Sequence, residues 1–204
     1  MRGKLITFEG IDGSGKTTML HRVARELERL GVPYLVTREP GGTELGAAIR
    51  ELVLAQEMGP LAELFLYAAD RAEHVMRVIR PALAEGRIVL SDRYADATLA
   101  YQGYGRGLPL ELVRTVNHWA TTGLLPDLTI VLDCDIQVAV ARRRLAERWD
   151  RFERSGGEFL HRVRTGYLEI ARAEPERVRV ISSAESEEVT ARRVWEAVAS
   201  VLRM

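Results

Sequence analysis

Gly10-Ile11-Asp12-Gly13-Ser14-Gly15-Lys16-Thr17 satisfies G-x-x-x-x-G-K-[ST] at every fixed position. Glycines at that spacing let successive backbone N–H groups turn inward and cradle phosphate oxygens at the start of a helix. Lys16 is expected to reach the β- and γ-phosphates of a nucleoside triphosphate, the Thr17 hydroxyl to hold Mg²⁺, and Thr18 to complete the ATP-binding run that begins at Gly10. The motif alone suits a GTPase, an ATP-driven motor or a small-metabolite kinase. A GTPase needs an N-K-x-D guanine reader, and the chain's one asparagine, Asn117, is followed by His118. A motor needs an acidic pair closing an apolar strand, whereas the corresponding segments read Ser91-Asp92-Arg93-Tyr94 and Asp133-Cys134-Asp135. A kinase is the reading that survives, with a non-catalytic nucleotide-binding switch as its rival from another class.

A second group of residues suits an anionic acceptor. Arg38-Glu39-Pro40-Gly41-Gly42-Thr43, Leu66-Tyr67-Ala68-Ala69-Asp70-Arg71, Asp92-Arg93-Tyr94 and Tyr101-Gln102-Gly103-Tyr104-Gly105-Arg106-Gly107 follow one another along the chain. A monophosphate carries close to two negative charges at neutral pH and is best met by several guanidinium forks. Arg38, Arg50, Arg71 and Arg93 are the candidates. The background is demanding, because 27 of the 29 basic residues are arginine and only Lys4 and Lys16 are lysine. One arginine is therefore weak evidence, and a lysine at a motif position is strong evidence.

The elements that must position these groups alternate along the chain. Apolar β-type runs at Lys4–Phe8, Tyr34–Thr37, Arg87–Ser91, Leu128–Leu132 and Val178–Ile181 predict five strands. Amphipathic stretches predict helices at Thr17–Leu30, Thr43–Leu54, Leu61–Glu85, Pro109–Thr122, Ile136–Ala146, Glu158–Ala173 and Glu187–Leu202. A glycine-rich loop is expected around Gly103, Gly105 and Gly107. This alternation predicts a single α/β domain with a mostly parallel sheet covered by helices on both faces. Ligands of such sheets bind beyond the carboxyl ends of the strands, where the candidate residues fall.

Composition narrows the classes further. A chain of 204 residues that is 47% hydrophobic and carries 29 basic against 29 acidic residues fits one ordinary globular domain. Zero net charge argues against general nucleic-acid or membrane-surface binding. The longest uncharged stretch, the 12 residues Thr115–Pro126, is too short to span a bilayer. A lone Cys134 and an N-terminus without a signal-like core lead to the expectation of a cytoplasmic protein. The histidines, His21, His74, His118 and His161, are expected at surface or capping positions rather than on a metal, and Trp119, Trp149 and Trp195 in packing roles.

Taken in their order and spacing, with Phe8-Glu9-Gly10 leading into the phosphate loop, the quoted blocks resemble the thymidylate kinase family over nearly the whole chain. The resemblance implies a P-loop NTPase-like five-stranded parallel sheet. It also implies transfer of the γ-phosphoryl of ATP to dTMP with Mg²⁺, giving ADP and dTDP. Another nucleoside monophosphate or deoxynucleoside kinase is the alternative. By resemblance, Arg38, Arg50 and Arg93 contact the dTMP phosphate, and Arg71 and Gln102 the thymine edge. Tyr67 stacks on the base, Thr98 lies beside it, and Tyr101 lies near the sugar, whose hydroxyl meets Asp12. Asp92 holds Mg²⁺ through water or orients Arg93. A homodimer is also implied.

Transition-state charge is assigned to Lys16, Arg93 and a basic lid at about 142–156. Six arginines (142, 143, 144, 148, 151 and 154) stand there against three acids. Gly13 occupies a place that is arginine in some members of the family, so the chain resembles the bacterial type with a basic lid. Asp150-Arg151-Phe152-Glu153 matches the lid motif, and Arg151 is its catalytic candidate. Two departures are evident: Leu145-Ala146-Glu147-Arg148-Trp149 lacks the usual Arg-Gly pair, and Ser182-Ser183-Ala184-Glu185 lacks the expected adenine-side sequence. The adenine contacts are unassigned.

Overall fold

The computed structural model describes residues 3–145 and 157–203. Among the described residues, strands β1 (Lys4–Glu9), β2 (Tyr34–Arg38), β3 (Ile88–Asp92), β4 (Leu128–Asp133) and β5 (Val178–Ser182) form one sheet in the order β2-β3-β1-β4-β5. Every pairing is parallel. The helices are α1 (Lys16–Arg29), α2 (Glu44–Ala55), α3 (Pro60–His74), α4 (Arg80–Ala84), α5 (Ala95–Thr98), α6 (Leu110–Thr121), α7 (Ile136–Leu145), α8 (Gly157–Ala173) and α9 (Glu187–Leu202).

Strand alternation sorts the core into layers. Ile6 and Phe8 pack with Met19, Leu20, Val23 and Leu27 of α1 and with Val194 and Val198 of α9. Leu5, on the opposite face, packs with Val75, Ile79 and Val89. Ile11 and Val131 join Phe159, Val163, Tyr167 and Ile170 of α8. The same alternation sends Thr7 and Glu9 of β1 into this second face, where both are fully buried. Thr7 meets the Thr129 hydroxyl at 2.9 Å.

The sequence predicts one helix over Leu61–Glu85, and the path is indeed continuous from α3 through α4. Val75–Ile79 is nevertheless wound as a wider π-type turn. Pro81 lies just beyond; it has no N–H to give, its ring crowds the carbonyl four residues back, and a widened turn relieves both.

The expected glycine-rich loop is a correction. Leu99–Gly105 continues α5 as a π-type helical segment. A β-carbon at Gly103 would lie 2.7 Å from Leu110 Cδ2, and one at Gly105 would lie 2.7 Å from the Phe159 ring. These glycines admit α6 and α8 to close contact; they do not loosen a loop.

Candidate active site

The parallel register brings the strand ends level. Phe8 of β1 pairs with Asp92 of β3, and Asp92 pairs with Arg38 of β2. The phosphate loop leaves β1 at Gly10 and enters α1 at Lys16, with Gly13 and Gly15 at φ 84° and 95°, a left-handed backbone that glycine adopts without penalty. Ile11 is anchored in the core, and Ser14 is fully buried with its hydroxyl unpaired among the described residues. Lys16 is folded across its own loop: its ammonium donates to the Ile11 carbonyl at 2.9 Å and lies 3.6 Å from the Asp12 carboxylate. Burial, then the nearby Arg93, lowers the Lys16 pKa against the pull of Asp12 and Asp92. Thr17 and Thr18 are exposed at the start of α1.

The Thr17 hydroxyl donates to Asp92 Oδ2 at 2.6 Å. A hydroxyl and a carboxylate side by side are hard oxygen donors of the kind Mg²⁺ takes when phosphates and water complete its shell, so these two residues fit that ion. A cleft of about 350 Å³ lies alongside, lined by Thr17, Asp92, Thr37, Arg38, Gly41 and Gly42 among others.

Arg93 joins the two halves of the site. It donates to the Gly10 carbonyl at 3.0 Å, to Asp12 Oδ1 at 2.7 Å and to the Tyr101 hydroxyl at 3.3 Å, and it lies over the Tyr101 ring. Burial works against its charge, but Asp12 and the other surrounding groups outweigh burial and raise its pKa well above the usual value. Its backbone has φ 74°, unusual for a residue with a β-carbon. Three bonds hold that conformation: Arg93 N–H to the Phe8 carbonyl at 3.0 Å, the Ser91 hydroxyl to the Arg93 carbonyl at 2.7 Å, and Tyr94 N–H to Glu9 Oε1 at 2.7 Å. Glu9 also accepts from the Tyr167 hydroxyl at 2.8 Å. Burial, followed by the charge of Asp96, pushes the Glu9 carboxyl up to about 8.

Arg38 is exposed at the end of β2, and Arg50 on α2 is half-buried with one N–H on the Pro40 carbonyl at 3.2 Å. Burial, then Arg38, then Arg93 lowers the Arg50 pKa, so Arg50 senses both of the other predicted phosphate arginines. The Arg50 and Arg38 side chains both run against Gly41.

The predicted base-side residues lie on α3, α5 and the π-type segment that follows α5. Thr98, Tyr101 and Gln102 are buried on α5 and the π-type segment, and Tyr67 is half-buried on α3. Arg71, only 1% exposed, donates to Glu39 Oε2 at 2.8 Å, Asn117 Oδ1 at 2.8 Å and the Tyr94 carbonyl at 3.0 Å. Glu39 is shared with His74, whose Nδ1 lies 2.9 Å from Oε1 and whose Nε2 lies 2.6 Å from the Thr37 hydroxyl. Asp70 Oδ1 accepts from Gly41 N–H at 3.2 Å, and burial followed by Glu39 raises its pKa to about 6. Gln102 Nε2 donates to Glu63 Oε1 at 2.6 Å.

Two expectations are corrected here. His74 is neither a surface nor a capping residue but is fully buried, because Glu39 and Thr37 satisfy both ring nitrogens. Trp119 is 77% exposed on α6 and packs into no core. Glu9, Glu39, Glu63 and Asn117 also take part in these networks, and the sequence alone gives them no role. Glu39 had a signal, since it stands inside the quoted Arg38–Thr43 block. The lid residues Arg148, Arg151 and Arg154 and Trp149 lie outside the described residues. Arg142 reaches both the Ser183 carbonyl at 3.0 Å and the Gly13 carbonyl at 3.4 Å.

Comparison with known proteins agrees with this geometry. The family model described as thymidylate kinase matches residues 8–194. The chain is 48% identical to a thymidylate kinase of Pelotomaculum thermopropionicum, across 99% of this chain and 95% of the relative. It is 52% identical to one from Synechococcus sp. strain JA-3-3Ab, across 95% and 94%. A crystal structure of thymidylate kinase from Ehrlichia chaffeensis superposes with a TM-score of 0.80 at 36% identity, covering 97% of this chain and 99% of that one. The chain belongs to the thymidylate kinase family.

Proposed function

We propose the following division of labour for the ATP-dependent phosphorylation of dTMP, the activity that family membership gives this chain. The observation that carries it is Arg93, bonded to the phosphate loop on one side and within electrostatic reach of Arg50, which also senses Arg38, on the other. That arrangement suits two phosphate groups held end to end. Residues Gly10–Thr18 hold ATP, and Lys16 leaves the Ile11 carbonyl to meet the β- and γ-phosphates. Arg38, Arg50 and Arg93 hold the dTMP phosphate.

The acceptor oxygen is already ionised at neutral pH, so no strong general base is needed. Catalysis then rests on in-line positioning and charge stabilisation. Asp12 orients Arg93 and meets the acceptor sugar hydroxyl, and Tyr101 lies near the same sugar. Tyr67 stacks on thymine, Thr98 flanks it, and Arg71 and Gln102 read its edge; Arg71 uses three of its five N–H donors on Glu39, Asn117 and Tyr94, leaving two for a ligand. Thr17 and Asp92 would hold Mg²⁺, which when bound neutralises charge on the ATP phosphates. Arg151, on a lid at about 142–156, is assigned to close over the transferring group and exclude water.

The same reading includes a homodimer in the cytoplasm. Exposed apolar side chains on three helices support the dimer: Leu45 and Leu52 on α2, Leu61 and Phe65 on α3, and Leu112 and Trp119 on α6. A single buried thiol suits a reducing compartment. No helix among the described residues is long and apolar enough to cross a membrane.

A coupled assay with ATP and a panel of monophosphates tests the acceptor assignment. The expected order is dTMP, then dUMP by about 10–200-fold because one methyl separates them, then cytosine and purine nucleotides. Equal turnover of CMP or AMP would overturn the base-side assignment.

A further inference from the structure

We infer that Glu63, a residue with no part in the phosphoryl transfer, sets the polarity of the Gln102 amide and so decides which pyrimidine the site accepts. The inference rests on the reading that Gln102 meets the base edge. Glu63 sits on α3, four residues before Tyr67 and eight before Arg71, so the three share one helix face. Its carboxyl group is fully buried, and Gln102 is 1% exposed. Arg106 approaches the same carboxylate from outside, with Nε 3.3 Å from Oε1 and a terminal nitrogen 3.2 Å from Oε2, while its guanidinium lies 4.7 Å from the Phe159 ring centroid. With Arg106 N–H groups on both of its oxygens, the Glu63 carboxylate presents lone pairs to its remaining neighbour and accepts rather than donates.

The consequence for Gln102 is chemical. An amide offers NH₂ at one end and C=O at the other, and rotating it by half a turn exchanges them. With an obligate acceptor 2.6 Å away, the NH₂ end must face Glu63. The carbonyl oxygen is thereby fixed on the opposite side, and among the described residues it takes no hydrogen bond. A fixed acceptor suits the N3–H donor of thymine or uracil and opposes the N3 lone pair of cytosine. Glu63 is thus a positioning residue that selects by base protonation pattern, separately from any contact with the thymine methyl group.

The test compares kcat/KM for dTMP, dUMP and dCMP in Glu63→Gln and, in case that variant folds poorly, in Glu63→Met, with a thermal melt as the folding check. Both substitutions remove the obligate acceptor and let the amide turn. The dTMP:dCMP ratio is expected to fall at least about tenfold, since the unpaired-polar-group penalty against cytosine is lost. The dTMP:dUMP ratio should stay within about twofold, because the two bases present the same edge to the amide. Equal losses on all three substrates, with ratios unchanged, would overturn the inference and leave Glu63 a structural residue. Gln102→Ala separates the two levels. If it leaves the dTMP:dCMP ratio unchanged, Gln102 does not read the base and the underlying assignment fails. If it collapses the ratio while both Glu63 variants preserve it, the orienting role alone fails.

Discussion

The two sets of arginines in this site are built on opposite principles. Arg71 is buried, and Glu39, Asn117 and the Tyr94 carbonyl hold it in place before any ligand arrives. Arg38 is exposed, and Arg50 is half-buried on a single carbonyl, its pKa lowered by burial and then by Arg38. A neutral base edge is recognised by direction, so its reader must be fixed beforehand. A dianion is recognised by charge, so on the proposed assignment its readers need no such fixing before the ligand arrives. Arg93 spans the two regimes, anchored to Asp12 and Gly10 yet close enough to Arg50 to be felt there.

The largest expected effect sharpens the division between donor and acceptor. Lys16→Ala should lower kcat on the order of 10⁴-fold, since charge stabilisation of this kind is worth about 10³–10⁵. Titration calorimetry without ATP should show dTMP binding within a few-fold of the parent. Joint loss of both would mean that Lys16 holds the acceptor site together as well.

Next comes the contrast between the arginines themselves. Arg71→Ala leaves Glu39 buried without its guanidinium partner, and breaking a buried pair costs roughly 3–5 kcal/mol. For a chain of this size that corresponds to a Tm lower by roughly 6–20 °C in a calorimetric scan. Arg38→Ala should leave Tm within about 2 °C and instead raise KM for dTMP roughly 10–100-fold, the worth of one charged hydrogen bond. Equal Tm losses in the two variants would erase the distinction drawn here.

The smallest effect is a pH slope. Glu9 has its folded pKa raised to about 8 from an ordinary 4.5. Between those values the folded state holds the proton more tightly than the unfolded chain does. Its contribution is therefore complete below about pH 4.5 and lost as pH rises through 8. Denaturant titrations from pH 5 to 8 should show stability falling by roughly 1–3 kcal/mol, and Glu9→Gln should flatten that part of the curve. A parent protein whose stability rises over that interval would show that Glu9 stays ionised.

Much of this was legible beforehand where the signal is local. The five strands, the phosphate loop and the order of the acceptor blocks follow from periodicity and backbone chemistry within a few residues. What escaped depends on partners far away in sequence. Gly103 and Gly105 read as loop residues because glycine serves both slack and close approach, and only Leu110 and Phe159 decide between them. His74 gave no sign of burial, since its partners Glu39 and Thr37 come from a different element. Asn117 was informative only as the chain's sole asparagine and evidence against a guanine reader; its role as a floor beneath Arg71 needed α6 to be placed against α3.

The level register of Phe8, Asp92 and Arg38 makes the sheet a ruler. Adjacent strands stand about 4.8 Å apart, so the strand end that leads into the phosphate loop and the strand end that carries Arg38 are separated by two graduations, about 9.6 Å. Backbone pairing fixes that interval, and no side-chain exchange can lengthen it. Descendants of this chain could therefore change which acceptor they take by rebuilding loops and helix faces. The spacing between the phosphate loop and the end of β2 would be inherited unchanged for as long as β2, β3 and β1 remain neighbours.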